Sequence, residues 1–231
     1  MGAMTLRQLE KLSANVVMLP AEDATIALSS QDIATILRDA QVQMMQPPIA
    51  PIQGQVAALA SQLQIMSMRE QVVVQISGNQ LVFHDHSGDT SPSARLPDIV
   101  QAFVELFRSK GVQFKAYGYN FAMAFDAPGD SSAAVAILER FTDAKAIRQA
   151  NISPLGAGLR LYFEEGKALS TLLLEPRIEG QLLATTSPRF FASINYHYDL
   201  TASAVALEDT LKSDFLGKWQ IFTGLLERLL A

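Results

Sequence analysis

The sequence predicts an α+β domain: a mainly antiparallel sheet, helices packed on one face of it, and a long amphipathic helix at the C-terminus. Three observations carry this. Short apolar runs flank glycine-containing turns at 71–86 and again across 155–200. Between those clusters, 96–110 and 131–150 space their apolar residues as a helix does. From Ala204 to Leu230 the same spacing runs on through Leu207, Leu211, Phe215, Trp219, Phe222, Leu226 and Leu229.

The elements follow in order. Leu6, Leu9 and Leu12 lie three apart and suggest a short helix over Thr5–Leu12. Asn15–Leu19, stopped by Pro20, and Thr25–Leu28 read as short strands; Ser30 reads as the cap of a helix reaching about Gln41. Prolines 47, 48 and 51 exclude a regular helix at 46–54. Gln71–Ser77 and Gln80–His86 read as a hairpin around Gly78-Asn79, with Ile76 opposite Leu81, Val74 opposite Phe83 and Val73 opposite His84. Leu96–Lys110 has Pro97 in its first turn and Gly111 as its stop. Val112–Phe125 alternates aromatic residues with Ala116, Gly118, Ala122 and Ala124, as a strand covered on both sides would. A helix capped at Asp130 or Ser131 follows, and then a meander of Leu155–Glu164, Ala168–Ile178, Gln181–Thr185 and Arg189–Leu200. Residues 1–54 are expected to form an N-terminal arm or small subdomain ending in the proline-rich loop, and 55–231 the main domain.

Composition narrows the function. Of 231 residues 49% are hydrophobic and 18% charged, against about 25% charged in an average soluble domain. So few charges cover a surface poorly, which points to surface hidden in an assembly or against an apolar ligand. The net charge is −5 and the basic residues do not cluster, so neither nucleic acid nor an anionic membrane is an expected partner. With no cysteine there is no disulfide and no thiolate nucleophile or ligand. No apolar run reaches membrane-spanning length and no signal peptide is evident, so a cytoplasmic protein is expected.

Two groups of residues are candidates for function. The first is a contact surface. Ala40–Met68 contains no charged residue and seven glutamines, and Met44, Met45, Met66 and Met68 give it adaptable apolar side chains. Tyr117, Tyr119 and Phe121 share one side of the two-faced strand and need cover of their own. The second is a metal centre. His84 and His86 lie at i and i+2 on one strand face, and His197 falls on the polar face of the last strand. If the three converged they could hold a divalent ion, with Asp89 or Asp199 orienting a ring. No other cofactor is expected. The Gly156-x-Gly158 pair leads into a strand rather than the helix a dinucleotide requires, and Glu164-Glu165 point to opposite faces. Arg160, Glu175 and Arg177 read as solvated strand charges. The expected function is a non-catalytic interaction or assembly domain, joined to copies of itself or to other subunits. The alternatives are a module for an apolar small ligand, walled by strand 112–125, and a metal-dependent enzyme built on the three histidines.

Overall fold

A computed structural model of the chain describes residues 6–21, 62–67, 71–77, 80–88, 90–127, 132–150, 154–178, 186–200 and 207–231. The strands are β1 (Glu10–Pro20), β2 (Gln62–Ser67), β3 (Val72–Ser77), β4 (Gln80–Asp85), β5 (Phe114–Asp126), β6 (Leu159–Glu165), β7 (Ala168–Pro176) and β8 (Arg189–Asp199). The helices are α1 (Leu96–Ser109), α2 (Ala133–Phe141), α3 (Ala144–Gln149) and α4 (Leu207–Leu230). The strands form an eight-stranded sheet in the order β2-β3-β4-β1-β5-β8-β7-β6. Pairs β1–β4, β2–β3, β3–β4 and β6–β7 are antiparallel. At the other junctions the backbone bonds join the end of one strand to the start of its neighbour: Ala21 to Gln113, Leu200 to Lys115, and Arg177 to Arg189. That is the antiparallel arrangement. The fold is α+β, as expected.

The chain divides into two compact units. The first comprises Met1–Leu12, Phe121–Tyr196 and Gln220–Ala231; the second comprises Ser13–Asn120 and His197–Trp219.

In the second unit the β3–β4 hairpin has the register read from the sequence, with Ile76 opposite Leu81, Val74 opposite Phe83 and Val73 opposite His84. Alternation leaves no choice: a slip of one residue would turn Val72, Val74, Leu81 and Phe83 out of the core. The buried face continues onto β1 through Ala14, Val16 and Met18. Phe103 of α1 meets Phe83 edge to face, with centroids 5.4 Å apart. Helix α1 ends because Gly111 takes φ +83, letting the Val112 N–H turn back onto the Phe107 carbonyl. Asp85 lies on the core side of β4 and is buried. Its carboxylate accepts the N–H groups of Ser87 (2.8 Å) and Ser93 (2.7 Å), which pins the loop leading to α1.

In the first unit, β5 contributes Phe121, Met123 and Phe125, β8 contributes Phe190, Ile194 and Tyr196, and β7 contributes Leu172 and Leu174, all buried. Helix α2 starts at Ser132, whose hydroxyl accepts the Val135 N–H.

The structure departs from the sequence reading in several places. Residues 10–12 are strand, not helix: three leucines over eight residues do not outweigh sheet pairing. Strand β1 lies between β4 and β5 in the sheet. The boundary expected near residue 54 falls outside the described residues, as do the strand at 25–28, the helix at 30–41 and the strand at 181–185. The helix expected over 131–150 is two helices, because Thr142 adopts an extended conformation. The β6–β7 turn has two residues, not three. Gly166 takes φ +62, which suits the first central position of a type II′ turn. Among the described residues no helix is long and apolar enough to cross a membrane.

Candidate functional site

The histidines come first. His84 is half-buried, and its Nε2 lies 3.3 Å from Gln75 Oε1. His86 is exposed, and the two rings are 5.9 Å apart, centroid to centroid. His197 is exposed on β8. Strands β1 and β5 stand between β4 and β8. At about 4.8 Å per strand, His197 is on the order of 14 Å from the pair, too far to share an ion. Among the described residues no group of three or more His, Cys, Asp or Glu side chains is placed to hold a metal. Asp89 lies outside the described residues.

Burial and, secondarily, the neighbouring His86 charge lower the His84 pKa below the ordinary histidine value. The sign follows by linkage. The unfolded chain takes up the proton at the ordinary value of about 6.5, and the folded chain takes it up only at lower pH. The stability His84 contributes is therefore present above the unfolded value and is lost as pH falls through the folded one. In an NMR pH titration the His84 ring protons are expected to shift at lower pH than the ordinary histidine value. A His86→Gln variant should recover only the smaller part of that difference. A His84 midpoint at the ordinary value would contradict the burial.

The aromatic face of β5 is filled by the protein itself. Tyr117, Tyr119 and Phe121, expected at a contact surface, are 2%, 0% and 1% exposed. In the second unit, Tyr117 stacks on Tyr198 with centroids 4.5 Å apart and planes 1° from parallel. Tyr119 meets Phe215 of α4 edge to face at 5.5 Å. The Tyr198 hydroxyl donates to Asp214 Oδ2 at 2.7 Å, and Lys218 Nζ lies 5.9 Å from the Tyr198 ring centre. Burial, then the bond to Asp214, raises the Tyr198 pKa far above the phenol range. Burial, then the neighbouring Tyr117, does the same for Tyr119. Both phenols stay protonated at neutral pH, and the group ties β5, β8 and α4 together within this unit. In the first unit, Phe121 meets Tyr196 at 6.2 Å.

The contact methionines are mostly out of view. Met44, Met45 and Met68 lie outside the described residues, whereas Met66 is in β2, opposite Val73.

Two features of the first unit were not legible in the sequence. Glu10 accepts from Arg177 (2.7 Å) and Arg189 (3.0 Å), and Arg189 also reaches the Gln8 carbonyl (3.2 Å) and Asp126 (3.5 Å). The Arg177 hydrogen bond, opposed by burial and aided by Arg189, holds the Glu10 carboxyl below its usual value. Arg177 is therefore paired, not merely solvated.

The second feature is the open side of the β6–β7 hairpin. Tyr162 is 70% exposed and Leu169 59%. Arg160 and Glu164 flank Tyr162 on that face and are exposed too. Among the described residues β6 is the last strand of the sheet. Period-two alternation, visible in the sequence, put these three residues on one face; that the strand is an edge was not visible.

No protein-family model matches the chain. No curated protein matches it in sequence either.

Proposed function

We propose that the protein is a non-catalytic assembly domain that joins another protein chain, its own kind or another subunit, through the β6 edge of the sheet. The observation that carries this reading is the edge strand itself, with Tyr162 and Leu169 standing 70% and 59% in solvent. An edge strand offers unpaired N–H and C=O groups as well as side chains, and no proline, no lysine and no bulge interrupts Leu159–Glu165. The low charge content fits a surface covered by a partner.

The finer arrangement belongs to the same proposal: helices on one face, the other left open. In the second unit the bond between Asn120 and Asn15 puts those two side chains on one face, the face away from Val16, Phe83 and Tyr119. The α1 contact at Phe83 and the α4 contact at Tyr119 then lie on the opposite side together. A cytoplasmic location is also part of the proposal and rests on the absence of cysteine and of a long apolar run. The packed rings of Tyr117, Tyr198 and Phe215 do not favour a ligand pocket against β5.

Multi-angle light scattering of the full chain over a concentration series tests the reading. The expected mass exceeds that of one 25.2 kDa chain. A strict monomer throughout, together with no stoichiometric partner in a lysate, would remove it.

A further inference from the structure

The exposed face of β6 is self-complementary. From the two-residue turn, Glu165 pairs with Ala168, and the register runs on through Phe163–Ser170, Leu161–Leu172 and Leu159–Leu174. The pair that closes a two-residue turn exchanges both backbone bonds, and bonded pairs alternate along an antiparallel ladder. Arg160, Tyr162 and Glu164 therefore aim their N–H and C=O groups away from β7, toward the open edge. Burial agrees with an uncovered edge: Leu161 and Phe163 are only half-buried, whereas Leu172 and Ser170 beside them on β7 are 0% exposed.

Consider a second β6 laid antiparallel along this edge, with the two-fold axis at Tyr162. Tyr162 then faces its own copy. Arg160 of each strand lies opposite Glu164 of the other, on the same exposed face, and Leu161 lies opposite Phe163 on the face below. Arg160 and Glu164 have no ion-pair partner among the described residues. This register gives each of them an opposite charge, twice over. Centring the axis one residue earlier puts Arg160 opposite Tyr162, and centring it one later puts Glu164 there, so both neighbouring registers lose the ion pairs. The outward backbone groups of three residues on each strand complete the ladder, and the edge disappears on both copies.

We infer that the protein forms a two-fold homodimer by antiparallel pairing of β6 with β6, centred on Tyr162. This rests on the assembly reading and names its partner as a second copy of this chain.

The chain has no cysteine, so one introduced thiol reports one position. Tyr162→Cys should give a disulfide-linked dimer on mild diamide oxidation, because directly opposed bonded pairs stand about 5.5 Å apart at Cα. Leu169→Cys, on the next strand in, should not, since its two copies are separated by three strand spacings, about 14 Å. Arg160→Glu and Glu164→Arg each place like charges opposite one another twice and should weaken self-association at least about tenfold in sedimentation. The double variant restores opposite charges and should restore the dimer. These side chains are exposed, so the variants should fold, which circular dichroism checks. An oligomer that ignores both single reversals, or that does not crosslink at Tyr162→Cys, overturns the β6 dimer and leaves the assembly reading standing. A wild-type monomer overturns the dimer too; the assembly reading falls with it only if no other partner is found.

Discussion

Phe215→Ala lowers the unfolding free energy by about 3–5 kcal/mol, the range for emptying a fully buried phenylalanine site. Phe215 is 0% exposed and lies on α4 against Tyr119, also 0% exposed. The Tyr119 ring in turn touches Tyr117 at 5.6 Å and Tyr198 at 5.7 Å. These rings are held by two paired strands and by the Tyr198–Asp214 bond, so they have little freedom to collapse into the space left behind. The cost therefore belongs near the top of the range. Domains of this kind hold about 5–15 kcal/mol in all, so a large share of the stability hangs on one ring. The single tryptophan, Trp219, is buried four residues along the same helix and reports unfolding by fluorescence. Urea titration should show a lower midpoint with the slope unchanged. A loss below about 1 kcal/mol would mean that α4 does not pack on β5 here.

Gly156→Ala should destabilise by about 1–3 kcal/mol, the usual range for overpacking. A Cβ at this position would stand 2.3 Å from Ala134 Cβ and 3.2 Å from its Cα. The obstacle is the backbone and first side-chain carbon of α2, not the tip of a flexible chain, so the segment or the helix must move. Movement also strains the bond from Ala157 N–H to the Ala134 carbonyl, 3.1 Å long. Gly158→Ala is the matched control. Its Cβ would meet Leu174 O at 3.6 Å and Glu175 Cβ at 3.7 Å, ordinary contacts. It should be near neutral, or slightly stabilising through the lost flexibility of the unfolded chain. Thermal unfolding of the two variants side by side checks this; equal midpoints would mean that α2 does not approach Gly156 this closely. The Gly-x-Gly pair thus has a packing explanation: one glycine is there because a helix lies against it.

Local pattern and tertiary context divided the work unevenly. Where the pattern was strict and the turn short, reading was accurate to the residue, as in the β3–β4 register. Where turn length was ambiguous it slipped by one. A three-residue turn would have put Arg160 opposite Leu172, whereas the two-residue turn puts it opposite Leu173. Leucine spacing misled at residues 6–12, because a period of three over so few residues carries less energy than pairing with a neighbouring strand.

The candidate sites divide along the same line. Alternation alone placed His84 and His86 on one face, and the same rule puts Arg160, Tyr162 and Glu164 on one side of β6, since successive strand residues point oppositely. Strand order decided what those faces mean. Two strands set between β4 and β8 keep His197 from the other histidines. Glu10 and Arg177, 167 positions apart, meet only because the chain folds the first residues of β1 and the end of β7 into the same unit. The sequence by itself determined which residues share a face, because that depends only on neighbours along the chain. The tertiary structure decided which faces are filled and which strand is an edge. Those outcomes depend on loop closures spanning a hundred residues and more, where no local periodicity reaches.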